Sequence, residues 1–141
     1  MGDDVIENST DIDAEVFKQI LDMDDGDEEK EFSRTIVFDF FSQAEEKIEE
    51  MKVNLQQKNL DGLSSLGHFL KGSSATLGFT KIKDACEAIQ HLGNGLDEHG
   101  QRMVTDPKDS LDRIQKKVDV MEVDCKLLRK ILRRYYSMDP F

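Results

Sequence analysis

The sequence predicts an all-α protein, an antiparallel four-helix bundle with up-down-up-down topology and a short additional helix at its N-terminus. Apolar residues recur at spacings of three and four over four long segments, which is the period of amphipathic helices. Only two prolines occur in the 141 residues, and no segment shows the alternation typical of half-buried strands. Long amphipathic helices joined by short loops bury their apolar faces most simply against one another.

Charge is distributed unevenly along the chain. Residues 1–31 hold thirteen Asp and Glu against two Lys, which accounts for the whole formal net charge of −11. We expect residues 1–11 to form a disordered acidic leader and residues 12–141 to form one domain. This balance disfavours binding to nucleic acid or to anionic membranes, since both need basic surfaces. The acidic stretch is either a solvated tail or the border of a docking surface that attracts a partner's basic rim.

The first two helices are expected to pack on each other. A short helix over Asp13–Met23 carries apolar side chains across a wide arc. The acidic segment Asp24–Glu31 is predicted to be a turn, and its glycine falls one position too early for a calcium-binding loop. A long helix over Phe32–Gln57 is apolar nearly all round at its start, so we expect the short helix to cover that end.

Three further helices follow from the same periodicity. They are expected over Leu60–Leu77, Thr80–Leu96 and Ser110–Tyr136, with Gly78 ending the first and a loop over Asp97–Asp109 before the last. Apolar residues of the last helix repeat in heptads. That repeat favours the seam of an intramolecular bundle, with a homodimeric coiled coil as the alternative.

His68 is the residue that points to chemistry. Leu66 and Leu70 belong to the apolar face of their helix, and they lie two positions on either side of His68, so the imidazole is expected to face solvent. Lys71 and Gly72 follow at i+3 and i+4 and therefore share its face. Because glycine destabilises a helix interior by roughly 1 kcal/mol relative to alanine, Gly72 suggests that something large approaches the imidazole.

Counting along the predicted hairpin adds a neighbour. If two helices turn back at Phe79, Gln90 lies level with His68 on the adjacent helix, since each is eleven residues from the turn. A neutral amide there would orient the imidazole or solvate a phosphoryl oxygen without adding negative charge. The alternative is that His68 is an ordinary surface residue and that Gly67 and Gly72 serve only close helix packing.

Cys86 and Cys125 lie on separate predicted apolar stripes and have neither metal-ligand spacing nor a convincing disulfide pattern. We therefore expect reduced, buried thiols and a cytoplasmic or nuclear location. The N-terminus has acidic residues where a signal peptide would be basic, and no apolar run is long enough to span a membrane.

The motifs together resemble a known family. The sequence is similar to the histidine-containing phosphotransfer (HPt) proteins, and within them to the single-domain fungal phosphorelay intermediates of osmotic-stress signalling. The resemblance covers residues 12–97 well and the last helix more loosely. It is carried by the segments His68-Phe-Leu-Lys71-Gly72-Ser73-Ser74-Ala75, Leu77-Gly78, Cys86-Glu87-x-Ile89-Gln90-x-Leu92-Gly93, Ile20-Leu21-x-Met23-Asp24-Asp25 and the final Tyr135-Tyr136.

The resemblance implies that His68 accepts a phosphoryl group from the aspartyl phosphate in the receiver domain of a hybrid sensor kinase and passes it to the aspartate of a response regulator. It assigns Lys71 and Gln90 to positions near the histidine and Gly72 to the small residue that gives access. It also implies a surface for docking receiver domains at Val16, Ile20, Met23, Asp24 and Phe69. Burial of Val16 and Ile20 against the second helix is the alternative.

No carboxylate cluster for a metal stands beside His68 in the sequence. We therefore expect a carrier without kinase activity or cofactor of its own, with Mg²⁺ supplied by the partner receiver domain. A monomer is expected. The alternative function is a non-catalytic helical module that binds partners through its acidic first helix.

Overall fold

Five helices make up the part of the chain that the computed structural model describes, residue 6 and residues 11–136. Consecutive long helices pack side by side, and the last closes the bundle by packing on the first long one. The predicted all-α architecture is confirmed. In chain order the helices are α1 (Ala14–Asp22), α2 (Glu31–Gln56), α3 (Leu60–Leu77), α4 (Thr80–Gly93) and α5 (Pro107–Tyr135).

The largest differences from the predicted bounds lie at the loop between α4 and α5. The helix predicted to run to Leu96 ends at Gly93, and Gly95 takes a positive φ of 81°. The last helix begins three residues earlier than the predicted Ser110. Pro107 occupies the first turn, where its missing N–H is not needed, and the Asp106 carboxylate accepts a hydrogen bond from the amide of Lys108 at 3.0 Å.

The heptad stripe of α5 lies inside the bundle. Its central residues are buried against the other helices, so the interpretation as an intramolecular seam is the one that the fold supports. The buried members are Ile114, Val118, Met121, Cys125, Leu128 and Leu132. Among the described residues, no helix is long and apolar enough to cross a bilayer.

The segment before α1 is attached to the turn between α3 and α4. The amide of Asp13 donates to the carbonyl of Gly78 at 2.7 Å, and the amide of Thr80 donates to the carbonyl of Asp11 at 3.0 Å. Asp11 also forms a salt bridge with Lys81 at 2.9 Å. These contacts fix the N-terminal end of α1 on the α3–α4 hairpin.

The disordered leader over residues 1–11 stays a prediction, and two of its residues have ordered contacts. Ile6 is buried in the core and Asp11 is held by the contacts above. Apolar side chains in a charged segment can still bury area against a core, which composition alone does not predict. Residues 1–5 and 7–10 lie outside the described residues.

The other end of α1 is held by a buried polar network. The Asp24 carboxylate accepts hydrogen bonds from the amide of Ser33 at 2.8 Å and from its hydroxyl at 2.7 Å. The Tyr136 hydroxyl donates to the Ser33 hydroxyl at 2.8 Å. Because Lys30, at the start of α2, provides no side-chain cap, Asp24 satisfies an amide that the helix would otherwise leave open.

Candidate functional site

His68 projects from the outer face of α3. Its side chain is exposed, whereas Leu70 is fully buried and Leu66 partly so. The helix begins at Asn59, whose side chain accepts a hydrogen bond from the amide of Gly62, and ends at Gly78 in the left-handed conformation. The rotation about the helix axis predicted from the leucine spacing is therefore confirmed.

Gln90 reaches the imidazole from α4. Its Nε2 lies 3.3 Å from Nδ1 of His68, so the register counted from the turn at Phe79 brought these two residues together correctly. The Oε1 atom of the same amide is buried and has no hydrogen-bond partner among the described residues. With Nδ1 facing Gln90, the other ring nitrogen, Nε2, is the one left for a reaction partner.

The amide of Gln90 fits either form of the imidazole. Its oxygen and nitrogen are nearly equal in size, and a half turn about the last side-chain bond exchanges them. In one orientation the amide donates to an unprotonated Nδ1; in the other its oxygen accepts a hydrogen bond from Nδ1–H. The second arrangement leaves the lone pair on Nε2, which is the form that attacks an electrophile.

Lys71 and Gly72 line the approach to His68. Lys71 is half-buried, and no described acidic side chain lies within salt-bridge distance of its ammonium group. A Cβ atom built on Gly72 would meet no atom within 4 Å. Packing against another helix therefore does not explain this glycine, and the space beside the imidazole is open to a partner.

The five residues assigned to docking are divided by the structure. Met23 and Phe69 are 59% and 45% exposed, and Val16 is partly exposed. Ile20 is buried in the core, because the apolar arc of α1 faces the bundle. Asp24 is also buried, since its carboxylate serves Ser33. For Ile20 the stated alternative of burial is the one observed, and for Asp24 the expectation of an accessible side chain is wrong.

Two exposed features near the predicted docking residues were not anticipated. Phe32, in the first turn of α2, is 46% exposed. The Lys47 ammonium lies 4.9 Å from the centroid of the Phe69 ring, a cation–π contact between α2 and α3. In the sequence, Phe32 was only the start of the predicted second helix and Lys47 was not singled out; a large aromatic side chain at a helix start was the available signal for Phe32.

The other two histidines have different surroundings. Nδ1 of His91 lies 3.1 Å from the carbonyl oxygen of Glu98, and Gly100 packs against its ring. His99 is exposed in the loop after α4. Within the described residues, no three His, Cys, Asp or Glu side chains are grouped as a metal site would need.

Comparison with known proteins identifies relatives of the same kind. Residues 35–122 match the family model described as the Hpt domain. The chain is 43% identical over 135 residues to multistep phosphorelay regulator 1 of Schizosaccharomyces pombe, covering 96% of this chain and 45% of that protein. It is 49% identical over 85 residues to phosphorelay intermediate protein YPD1 of Candida albicans, covering 60% of this chain and 45% of that protein. The chain thus spans about half the length of the curated relatives it matches.

Solved structures agree with the sequence comparison. The fold superposes with a TM-score of 0.77 on the Saccharomyces cerevisiae histidine phosphotransfer signalling protein Ypd1, which was crystallised with the receiver domain of its downstream response regulator Ssk1. Identity there is 34%, over 92% of this chain and 96% of that one. A structure of yeast Ypd1 alone gives a TM-score of 0.75 at 31% identity, over 90% and 95% of the two chains. From its helices, its exposed histidine and these matches, the chain belongs to the Hpt domain family.

Proposed function

We propose that this protein is a phosphocarrier of a multistep phosphorelay. It accepts a phosphoryl group on Nε2 of His68 from the aspartyl phosphate of a sensor-kinase receiver domain and gives it to the aspartate of a response regulator. The observation that carries this proposal is the pairing of an exposed His68 with Gln90 through Nδ1, beside the open space at Gly72. The relatives named for phosphorelay roles support it.

The chemical step needs no group that the two proteins lack. The Nε2 lone pair of neutral His68 attacks phosphorus, the bond from phosphorus to the aspartyl oxygen breaks, and the carboxylate leaves with that electron pair. The proton on Nδ1 stays in place, so the ring becomes positively charged. A Gln90 oxygen accepting a hydrogen bond from Nδ1–H stabilises that charge, and the reverse reaction returns the neutral imidazole.

Lys71 has a second part in the proposal. Its ammonium group is one helical turn from His68 and no described carboxylate neutralises it, so it is available to the phosphoryl oxygens. Its positive charge offsets the negative charge that builds up on them during transfer. Mg²⁺ would be bound by the partner receiver domain, and this chain would have no kinase activity of its own.

Docking would use the exposed side chains around the histidine. Met23 and Phe69 offer apolar area to a receiver domain, and large exposed apolar residues are common at protein interfaces. Val16 adds a partly exposed edge on α1. A cytoplasmic and nuclear location completes the proposal, and it is supported by the two buried free thiols of Cys86 and Cys125.

A phosphotransfer assay tests the proposal. A purified receiver domain carrying labelled aspartyl phosphate is mixed with the wild-type protein, with His68→Gln and with His99→Gln as the matched histidine control. We expect acid-labile label on the wild type and the control and none on His68→Gln, with equal helical circular dichroism for all three.

Two outcomes would contradict it. Label that persists on His68→Gln would place the phosphoryl group elsewhere. Binding of the receiver that is indifferent to His68, without any acid-labile phosphate on the wild type, would instead support the non-catalytic interaction module.

A further inference from the structure

Helices α3 and α4 approach each other unusually closely next to the histidine. A Cβ atom built on Gly67 would lie 2.8 Å from the carbonyl oxygen of Cys86 and 3.0 Å from the backbone nitrogen of Gln90. Gly67 itself is buried. The contact is between the backbones of α3 and α4. On α3 it involves Gly67, which directly precedes His68, and on α4 it involves Gln90, whose side chain reaches the imidazole.

This contact has no flexible partner. A long side chain can rotate away from an added methyl group, but a carbonyl oxygen and an amide nitrogen within a helix move only with the helix. Normal contact distances for carbon are about 3.5 Å, so any residue larger than glycine at position 67 separates α3 from α4 at this level. The contact between Gln90 and His68, at 3.3 Å, is already slightly longer than the usual hydrogen-bond range of about 2.7–3.2 Å.

We propose that Gly67 is a positioning residue for the reactive histidine: its lack of a side chain sets the helix separation at which the Gln90 amide reaches Nδ1 of His68. This inference deepens the proposed phosphotransfer function and rests on it for its kinetic consequence. Its structural part is that the contact between the Gln90 amide and the His68 imidazole depends on the residue at position 67. That part can be tested without any transfer reaction.

A second close approach provides a comparison. A Cβ atom built on Gly93 would lie 2.8 Å from the carbonyl oxygen of Leu60 and 2.8 Å from the backbone nitrogen of Ser64. The nearest side-chain bridge at that end joins the Ser64 hydroxyl to Asn94 at 2.9 Å. Gly93 is therefore at least as tightly confined as Gly67 between the same pair of helices, but only Gly67 lies against the backbone of Gln90.

The functional consequence follows from the pairing at Nδ1. When the helices separate, the Gln90 oxygen no longer accepts a hydrogen bond from Nδ1–H, so the form of His68 with its proton on Nδ1 and its lone pair on Nε2 loses that stabilisation. Loss of one hydrogen bond between neutral groups slows a reaction that depends on it by about three- to tenfold. Gly67→Ala is expected to slow phosphoryl acceptance by that factor, through Gln90 alone.

The test combines nitrogen NMR of the histidine rings with transfer kinetics. We compare Gly67→Ala, Gln90→Ala, the double variant and Gly93→Ala, each first shown to be folded by circular dichroism. Gly67→Ala and Gln90→Ala should shift the His68 ring nitrogens in the same direction, and Gly93→Ala should leave them near the wild-type positions. In the transfer assay the double variant should be no slower than Gln90→Ala.

Three results would overturn the inference: unchanged His68 ring nitrogens in folded Gly67→Ala, an equal change in Gly93→Ala, or further slowing of Gln90→Ala by the added substitution. If Gly67→Ala does not fold, the same substitution in the more stable Gly72→Ala background carries the test, with Gly72→Ala alone as its reference. It should give the same NMR shift, and unchanged ring nitrogens would overturn the inference. Absence of transfer by the wild type would overturn the phosphorelay proposal instead, and the NMR result would remain.

Discussion

Gly67 and Gly72 lie on the same helix, on either side of His68, and their surroundings are opposite. Gly67 is pressed against the backbone of α4, whereas an added Cβ at Gly72 would touch nothing. In the proposed mechanism the inner glycine brings Gln90 within reach of the imidazole, and the outer one leaves room for an incoming protein. A residue type that looks redundant in the sequence thus serves two different surfaces of one site.

Substitutions of the two glycines should therefore differ in whether they change the stability of the fold or only the transfer reaction. Substitution on the inner side disturbs a contact within the fold, so its effect should appear in unfolding as well as in transfer. Substitution on the outer side changes nothing that the folded chain contacts by itself. Its effect should appear only when a receiver domain docks.

The largest effect is expected from the inner glycine on stability. Gly67→Ala forces a methyl group against the carbonyl oxygen of Cys86, and such overpacking costs about 1–3 kcal/mol, more than the helix propensity that alanine gains. Urea unfolding followed by circular dichroism measures it. An unfolding free energy equal to that of the wild type would remove the distinction between the two glycines.

Next in size is the outer glycine's effect on transfer. Gly72→Gln places a side chain in the open approach to His68, and we expect acceptance of phosphate to slow by about tenfold, because small displacements of reacting groups carry large penalties. Its unfolding free energy should stay at or above the wild-type value. Transfer at the wild-type rate would mean that the receiver approaches from another direction.

Lys71 lies on the same outer face of α3 as Gly72, and its substitution changes the charge there without blocking the approach to His68. Lys71→Ala should slow acceptance about fivefold, an effect of about 1 kcal/mol that suits a half-exposed charge, and should not abolish it. Lys71→Arg, which keeps the charge, is the matched control. Equal rates for wild type and Lys71→Ala would exclude a role for the ammonium group.

Gly72→Ala should change stability in the direction opposite to Gly67→Ala. Alanine at an exposed helix position with open space around it stabilises by about 0.5–1 kcal/mol relative to glycine. Thermal unfolding of the two alanine variants side by side gives the comparison directly. A decrease in melting temperature for Gly72→Ala would show that its surroundings are not open in solution.

The smallest effect concerns a loop away from both glycines. Hydrogen bonds from the backbone, chiefly the amide of Gln101, lower the pKa of Asp97 below its ordinary value. A carboxyl group with a depressed pKa stabilises the folded loop above its unfolded pKa, and that contribution is lost as pH falls through the folded pKa. Amide exchange of Gln101 should therefore lose protection on acidification, and less so in Asp97→Asn.

The Asp97→Asn variant also tests whether the effects of the two glycines on His68 are confined to their own surroundings. The loop follows α4 directly, and Asp97 makes no contact with His68 or Gln90 among its hydrogen bonds. Asp97→Asn should leave the His68 ring nitrogens unchanged at neutral pH. A shift of those resonances would mean that the end of α4 also controls the position of Gln90.

Periodicity was sufficient for the helices and for the side of α3 that carries the histidine. Leu63, Leu70 and Leu77 had to be buried together, and this alone rotates His68 outward. The bounds of α3 were predicted at Leu60 and Leu77 from periodicity and Gly78, and the structure adds Asn59 as the N-cap. At α4 the apolar Leu96 obscured the earlier stop at Gly93.

Docking residues could not be sorted in the same way. Val16, Ile20 and Met23 share a short apolar helix, and nothing in their order says which of them the bundle covers. The burial of the Asp24 carboxylate could not be predicted from the sequence either. Its partner Ser33 is nine residues away, and Tyr136, which donates to Ser33, lies more than a hundred residues away. Contacts of such separation are set by packing.

The sequence by itself determined the helical class, the outward rotation of His68 and the level of Gln90 on the neighbouring helix, because each depends only on helical period and residue count. Only the tertiary structure shows that Gly67 is pressed against α4 and that Gly72 has open space beside it. Both are glycines within one turn of His68, and their difference arises from the distance to α4, a quantity that no local pattern contains. We propose that the same close contact between the two backbones also sets the reach of Gln90 to the imidazole.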